Sequence, residues 1–61
     1  MNDRWFVEIV DPLDFRAAGY SVSASGPQEA RDRGLKLLLD EHPSLVDRKL
    51  DVTARLIYHR R

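Results

Sequence analysis

Residues 21–43, SVSASGPQEARDRGLKLLLDEHP, contain the strand-to-helix transition that decides the fold. Polar and apolar residues alternate at the start of this stretch, which predicts a half-buried strand over residues 20–24. After a Ser-Gly-Pro turn, apolar side chains recur at helical spacing among charged ones. We therefore predict a helix over residues 27–41, which Pro43 ends.

The start of the predicted helix has capping-box spacing, because Ser25 is followed three residues later by Gln28. Pro27 suits the first helical turn, so we expect Ser25 to be the N-cap residue. A helix N-terminus can bind an anion through its free N–H groups. Here Ser25 and Gln28 are placed to occupy those groups, and Glu29 would repel an anion. The sequence therefore favours a structural role for this turn.

Gly34 lies on the apolar side of the predicted helix, together with Ala30, Leu37 and Leu38, and Leu35 and Leu39 widen this side. Glycine within a helix costs about 1 kcal/mol relative to alanine. Its position among these apolar residues predicts that the helix approaches the sheet closely at Gly34.

Residues 5–10, WFVEIV, predict a central strand. Both alternating sets of side chains are apolar except at Glu8, and aromatic and β-branched residues dominate, so we expect both faces of this strand to be covered. Asp11 and Pro12 end the strand, because proline cannot continue a ladder and Asp-Pro favours a turn.

The rest of the chain divides into two connections and a last strand. Residues 13–19 are predicted to connect the first two strands, and residues 44–48 to return from the helix. Residues 49–59 alternate over the longest run and predict the third strand. The apolar residues expected to anchor the connections are Leu13, Phe15, Leu45 and Val46.

The element order is therefore β-β-α-β, in a single α+β domain over residues 1–61. A right-handed crossover through the helix makes the second and third strands parallel. Because the first strand is apolar on both faces, we place it in the middle. This gives a three-stranded sheet of order 2-1-3 with the helix packed on one face. The order 1-2-3 stays open as an alternative.

The composition limits how so short a chain is stabilised. With 61 residues, folding buries only about 60% of the surface of the unfolded chain, and domains of this size often rely on disulfides, a metal, tight packing or a partner. No cysteine is present, which excludes disulfides, thiolate metal ligands and cysteine nucleophiles. We therefore expect association with another chain, first of all as a homodimer.

Charge and hydropathy restrict the classes of partner. The formal net charge is zero, which does not indicate a generally basic nucleic-acid binder. Neither a signal-peptide pattern nor an apolar stretch long enough to span a bilayer is found. We expect a cytoplasmic protein without membrane association.

Residues with catalytic or ligand chemistry are sparse. Neither His42 nor His59 has another histidine at the spacing of metal ligands, and His42 is better placed to complement the C-terminus of the helix. No serine has a base and an orienting acid in a recognisable arrangement. We therefore expect no catalytic residue, no cofactor, no metal ion and no enzymatic activity.

One helix covers one face of a sheet, so apolar side chains on the other face would lie among polar ones, a pattern typical of interaction sites. In the order 2-1-3 the third strand is also a long unpaired edge. We predict that it pairs antiparallel with its own copy around Thr53, which sets Asp51 opposite Arg55. The alternatives are contact through the uncovered face and a monomer with a charged, soluble edge. The predicted interface residues are Phe6, Asp51, Thr53, Arg55 and Ile57.

The C-terminal stretch RLIYHRR supports a second hypothesis. If the first and third strands are antiparallel, Arg4 approaches this basic end. Basic side chains interleaved with aromatic ones suit phosphates and stacked bases. The predicted function is thus a non-enzymatic accessory or regulatory protein that acts through homodimerisation and a protein partner, and the alternative is a small nucleic-acid-binding module. The candidate nucleic-acid contacts are Arg4, Arg55, His59, Arg60 and Arg61.

Overall fold

A three-stranded antiparallel sheet carries one helix on one face, as described by a computed structural model for residues 3–13 and 16–58. The spatial order of the strands is β2-β1-β3, which confirms the predicted α+β class and the order 2-1-3. Both outer strands run antiparallel to the central one. The elements are β1 (Asp3–Asp11), β2 (Arg16–Ala24), α1 (Pro27–Glu41), a 3-10 helix (Pro43–Asp47) and β3 (Asp51–Tyr58).

The β1–β2 hairpin is longer than predicted. Its register runs from Asp3 opposite Ala24 to Asp11 opposite Arg16, so most of the segment predicted as a connection is strand. Pairing with β1 overrides the low β propensity of alanine and glycine in residues 16–19. The Leu13 side chain is 76% exposed and so does not anchor the connection as predicted. Phe15 lies outside the described residues.

The third strand is shorter than predicted, and its alternation is interrupted. It begins at Asp51, and its predicted last residue, His59, lies outside the described residues. Trp5 pairs with Leu56, whereas Arg4 pairs with Tyr58, so Ile57 is an extra residue at a β-bulge. The strict two-residue period therefore ends at Leu56.

The connection from α1 to β3 forms a 3-10 helix, and only one of its two apolar residues packs on the core. Leu45 is half-buried against the core, whereas Val46 is 65% exposed. The expectation that both residues close the end of the core is therefore wrong for Val46.

The hydrophobic core lies between α1 and the inner face of the sheet. β1 is central, but within the described residues only its inner face is covered by a helix, so the prediction that both faces are covered is wrong. On the outer face, Phe6 and Val10 are only half-buried, and Glu8 is exposed. The buried apolar residues are Val7, Ile9, Val22, Ala24, Ala30 and Leu38.

Gly34 allows α1 to rest on β1. A Cβ atom at this position would lie 2.7 Å from Val7 Cβ and closer still to Val7 Cγ1. Carbon atoms do not pack this closely, so any side chain at residue 34 would push the helix away from the central strand. The predicted close approach is confirmed.

The helix start differs from the predicted capping box. The N-cap residue is Gly26, without a side-chain cap, so the prediction for Ser25 is wrong. The backbone N–H of Ser25 donates to Glu29 Oε1 at 2.8 Å, and its hydroxyl donates to the same oxygen at 3.3 Å. This backbone hydrogen bond is the main cause of the lowered pKa of Glu29. The Glu29 carboxylate thus reaches back over the turn, while Gln28 instead accepts a hydrogen bond from Arg31.

Two polar contacts hold the side chain of Asp11 at the end of β1. The side chain of Asp11 is only 8% exposed and accepts a hydrogen bond from Arg48 Nη2 at 2.7 Å. It also accepts one from the backbone N–H of Leu13 at 3.0 Å, which stabilises the turn after β1. His42 is the C-cap residue of α1, and its backbone N–H donates to Leu38 O at 2.8 Å.

We predict that Gly34→Ala lowers the free energy of unfolding. Overpacking against Val7 costs about 1–3 kcal/mol, whereas replacing a helical glycine by alanine contributes about 1 kcal/mol, so we expect a net loss of up to about 2 kcal/mol. Urea denaturation measures the difference. Gly26→Ser is the matched control, because nothing lies within 4 Å of its added Cβ and serine is a good N-cap residue. An alanine variant more stable than the parent chain by about 1 kcal/mol, the full helical gain, would contradict this packing.

Candidate protein-association surface

The uncovered face of the sheet, opposite α1, brings most of the predicted interface residues together. We call it the open face. Phe6 of β1 pairs with Arg55 of β3, and Glu8 pairs with Thr53. Because paired residues point to the same side of an antiparallel sheet, these four side chains form one cluster, which lines a shallow depression of about 180 Å³.

The other two predicted interface residues lie along β3, on either side of this cluster. Asp51 pairs with Val10 at the beginning of the strand. Ile57 is 54% exposed at the bulge near its end. Phe6, Asp51, Thr53 and Arg55 thus share the open face, whereas the bulge takes Ile57 out of the alternation from which its place was predicted.

Phe6 is held between the two outer strands. The guanidinium carbon of Arg55 lies 5.5 Å from the centroid of the Phe6 ring, a cation–π distance. On the other side, a Cβ atom at Gly19 would lie 2.5 Å from Phe6 Cζ, so the ring covers the backbone of this glycine. This cover compensates for a weak point in the edge strand β2. The ring is therefore part of the sheet surface, and the Arg55 guanidinium lies over it.

Two side chains of α1 form hydrogen bonds with the edge strand β2. Arg33 Nη1 donates a hydrogen bond to the backbone carbonyl of Ser23, and the same guanidinium lies 3.6 Å from Glu29 Oε1. The hydroxyl of Tyr20 donates to Glu41 at 2.9 Å, and burial and this carboxylate raise the pKa of Tyr20. Helix side chains thus engage β2 at its middle and near its C-terminal end.

The edge of β3 is exposed along its length. Asp51, Thr53 and Arg55 are all exposed on the open face. Leu56 is 46% exposed and Ile57 is 54% exposed, so two consecutive large apolar side chains meet solvent on one edge strand. An exposed edge with apolar residues is a template for pairing with another strand.

An apolar groove runs between α1 and β3 on the helix side of the sheet. We call it the leucine groove; its volume is about 160 Å³. The sequence placed Leu37 on the core side of the helix, but Leu37 is 43% exposed toward β2, and Leu35 and Leu39 are half-buried toward β3 instead. The i, i+4 spacing of Leu35 and Leu39 was the available signal for this groove. It is lined by Leu35, Leu39, Leu45, Val46, Arg48, Leu50 and Val52.

Residues with ligand chemistry do not converge in the described part of the chain. Over residues 3–13 and 16–58, no group of three or more histidine, aspartate or glutamate side chains is arranged to hold a metal ion. The exposed His42 borders a cleft of about 310 Å³ with Asp11, whose carboxylate is engaged by Arg48 and Leu13.

The candidate nucleic-acid contacts are described only in part. Arg4 is exposed on β1, and its backbone pairs with Tyr58 at the end of β3. Arg55 lies on the same open face, above the Phe6 ring. The other three contacts, His59, Arg60 and Arg61, lie outside the described residues.

Comparison with protein-family models, with curated proteins and with solved structures gives no match for this chain. In the part of the chain that the structure describes, no helix is long and apolar enough to cross a membrane. The geometry of the sheet and its two edges is therefore what supports a functional proposal.

Proposed function

We propose that this chain is a small, non-enzymatic accessory or regulatory protein that acts as a homodimer joined through β3. The observation that carries the proposal is the difference between the two edges of the sheet. Arg33 engages a backbone carbonyl of β2, whereas β3 exposes polar and apolar side chains along its length. Of the two edges, β3 is the one suited to pairing with a further strand.

A two-fold axis at Thr53 gives the favoured register. β3 then pairs antiparallel with its own copy, as an isologous interface requires. Asp51 of each copy faces Arg55 of the other, and each such pair contributes roughly 0.2–1 kcal/mol. In the single chain the Arg55 guanidinium lies over Phe6 of β1, so it turns away from the ring to meet Asp51 of the other copy. The same register sets Lys49 opposite Ile57.

The small core supports association as a source of stability. Within the described residues, the buried apolar set has six members, and two of them are alanines. A domain of this size is marginal on its own. Removing the exposed parts of Leu56 and Ile57 from water contributes about 25 cal/mol for each Å² of apolar surface. Dimerisation thus buries apolar surface that one chain leaves in solvent.

The fused sheet of the dimer also gives a surface for a protein partner. Six strands would present two open faces side by side, with both helices on the opposite side. Each open face carries Phe6 and its polar surroundings, Glu8 and Thr53. Apolar groups rimmed by polar ones are typical of protein interaction sites, and we propose this face as the site of that partner.

We predict that Asp51→Arg weakens the dimer on the order of tenfold, because it replaces two attractive pairs by two repulsive ones. Adding Arg55→Asp restores the opposite charges and should bring the dissociation constant back toward that of the parent chain. Sedimentation equilibrium at low salt measures both values. Asp32→Arg, on the exposed side of α1, changes the net charge equally and serves as the control.

Two results would reject parts of this proposal. A parent chain that sediments as a monomer at high micromolar concentration rejects homodimerisation altogether. A dimer that is indifferent to both substitutions keeps association but rejects the register at Thr53.

The alternative proposal is a nucleic-acid-binding module, and the position of Arg4 and Arg55 on one face beside Phe6 favours it. We predict for this alternative that affinity for DNA or RNA falls steeply as salt rises, because phosphate contacts release counterions. Replacing Arg60 and Arg61 by glutamine should flatten the salt dependence without unfolding the chain. Fluorescence anisotropy with labelled oligonucleotides tests this, and no binding even at low salt would exclude the alternative.

A further inference from the structure

We infer that the leucine groove is the seat for Leu56 of a second copy of this chain. The inference rests on the proposed dimer through β3 and adds a specific contact on the helix side of the sheet. It identifies the occupant of a groove that one chain leaves open.

The groove and Leu56 lie on the same side of the sheet. Val52 and Ala54 are half-buried against the core, and the two-residue period of β3 places Leu56 on the same face. Leu56 is nevertheless 46% exposed. The groove lies toward the other end of β3, at Leu50 and Val52. Each copy thus has an exposed leucine near one end of the strand and an apolar recess near the other.

A two-fold axis at Thr53 brings these two features together. Residues opposite each other in that register have numbers that sum to twice 53, so Leu56 of one copy faces Leu50 of the other. Directly opposite side chains have Cβ atoms about 4.5–5.5 Å apart. Leu50 immediately precedes β3 and lines the groove. Pairing that extends the strand by this one residue brings Leu56 against Leu50, beside Val46, which is 65% exposed. The contact occurs twice in each dimer.

The charges on the open face and the leucines on the helix side select the same register independently. An axis at Val52 would place Arg55 opposite Lys49, which is repulsive, and Leu56 opposite Arg48 instead of Leu50. Of these two axes, only the one at Thr53 pairs opposite charges on the open face and also sets Leu56 opposite Leu50 on the helix side. This agreement between two unrelated sets of side chains is the reason to commit to a second copy as the occupant.

An axis at Ala54 fails on the open face. It would set Asp51 opposite Ile57, so neither charge would meet its opposite. Leu56 would then face Val52, which also lines the groove, so the charges on the open face are what distinguish this axis from the one at Thr53.

The test compares two leucines of similar exposure. Leu56→Asp should weaken the dimer by about a hundredfold or more, and Leu56→Ala by on the order of tenfold, because apolar burial is lost at two symmetric sites. Leu37→Asp is the matched control: Leu37 is 43% exposed on the β2 side of α1, and its substitution should leave the dissociation constant unchanged. Val46→Asp, in the groove itself, should act like Leu56→Asp. Sedimentation equilibrium gives the constants, and circular dichroism confirms that each variant is folded.

Each outcome decides between the two proposals. A parent dimer that is indifferent to Leu56→Ala and Val46→Asp overturns this inference and leaves the dimer through β3 in place. Equal weakening by Leu37→Asp and Leu56→Asp also overturns it, because the effect would not be specific to the groove. A parent chain that is monomeric at high micromolar concentration overturns both proposals.

Discussion

The contact between Gly34 and Val7 fixes where α1 lies on the sheet. Because residue 34 has no side chain, the helix axis comes close to the central strand, and an added Cβ would overlap Val7. Once Gly34 faces β1, the helical period determines which side chains of α1 point toward β2 and which point toward β3. Arg33 and Leu37 lie toward β2, whereas Leu35 and Leu39 lie toward β3. The different character of the two sheet edges follows from this one contact.

The same contact explains why the chain is suited to association. A single helix seated over the central strand covers one face of a three-stranded sheet and reaches both edges only with its side chains. Toward β2 they include the long, charged Arg33 and Lys36 beside Leu37, and Arg33 engages a backbone carbonyl there. Toward β3 they are leucines, which leave a groove beside an exposed strand. In the proposed dimer, a second copy of the strand would pair with the edge, fill the groove and bring Asp51 and Arg55 of the two copies together.

Much of the fold was predictable from the sequence, because its signals are local. The helix bounds Pro27–Glu41 follow from a Gly-Pro start and a proline beyond the end, and the central position of β1 follows from its apolar residues on both faces. The close approach at Gly34 was visible as a glycine among apolar neighbours. These features depend on residue types at fixed spacings along one segment.

The errors occurred where a contact with another segment decides the outcome. Ser25 has the composition of an N-cap, but the N-cap is the next residue, Gly26, and the Ser25 hydroxyl donates to Glu29 instead of accepting from a helix N–H. Residues 16–19 have weak strand propensity, yet pairing with β1 makes them strand. The bulge at Ile57 depends on the register of β3 against β1. Such pairings join residues far apart in sequence, and local composition carries little information about them.

The open-face cluster was predicted almost completely, because alternation assigns side chains to a face. The stacking of Arg55 on Phe6 and the cover of Gly19 were not, since they depend on the cross-strand register. Leu35 and Leu39 were placed on the apolar side of the helix, but the leucine groove was not predicted, because it also needs Val46 and Leu50 from the connection to β3. Leu37, placed on the same side, is exposed toward β2.

A single engineered cysteine tests the central claim most directly, because the chain has no cysteine of its own. In the proposed dimer Thr53 lies on the two-fold axis and faces its own copy, at a separation that a disulfide can bridge. Thr53→Cys should therefore form a covalent dimer rapidly under mild oxidation at low micromolar concentration. Ser21→Cys, equally exposed but on β2, should form one only slowly. Cross-linking of Thr53→Cys no faster than that of Ser21→Cys would contradict pairing through β3.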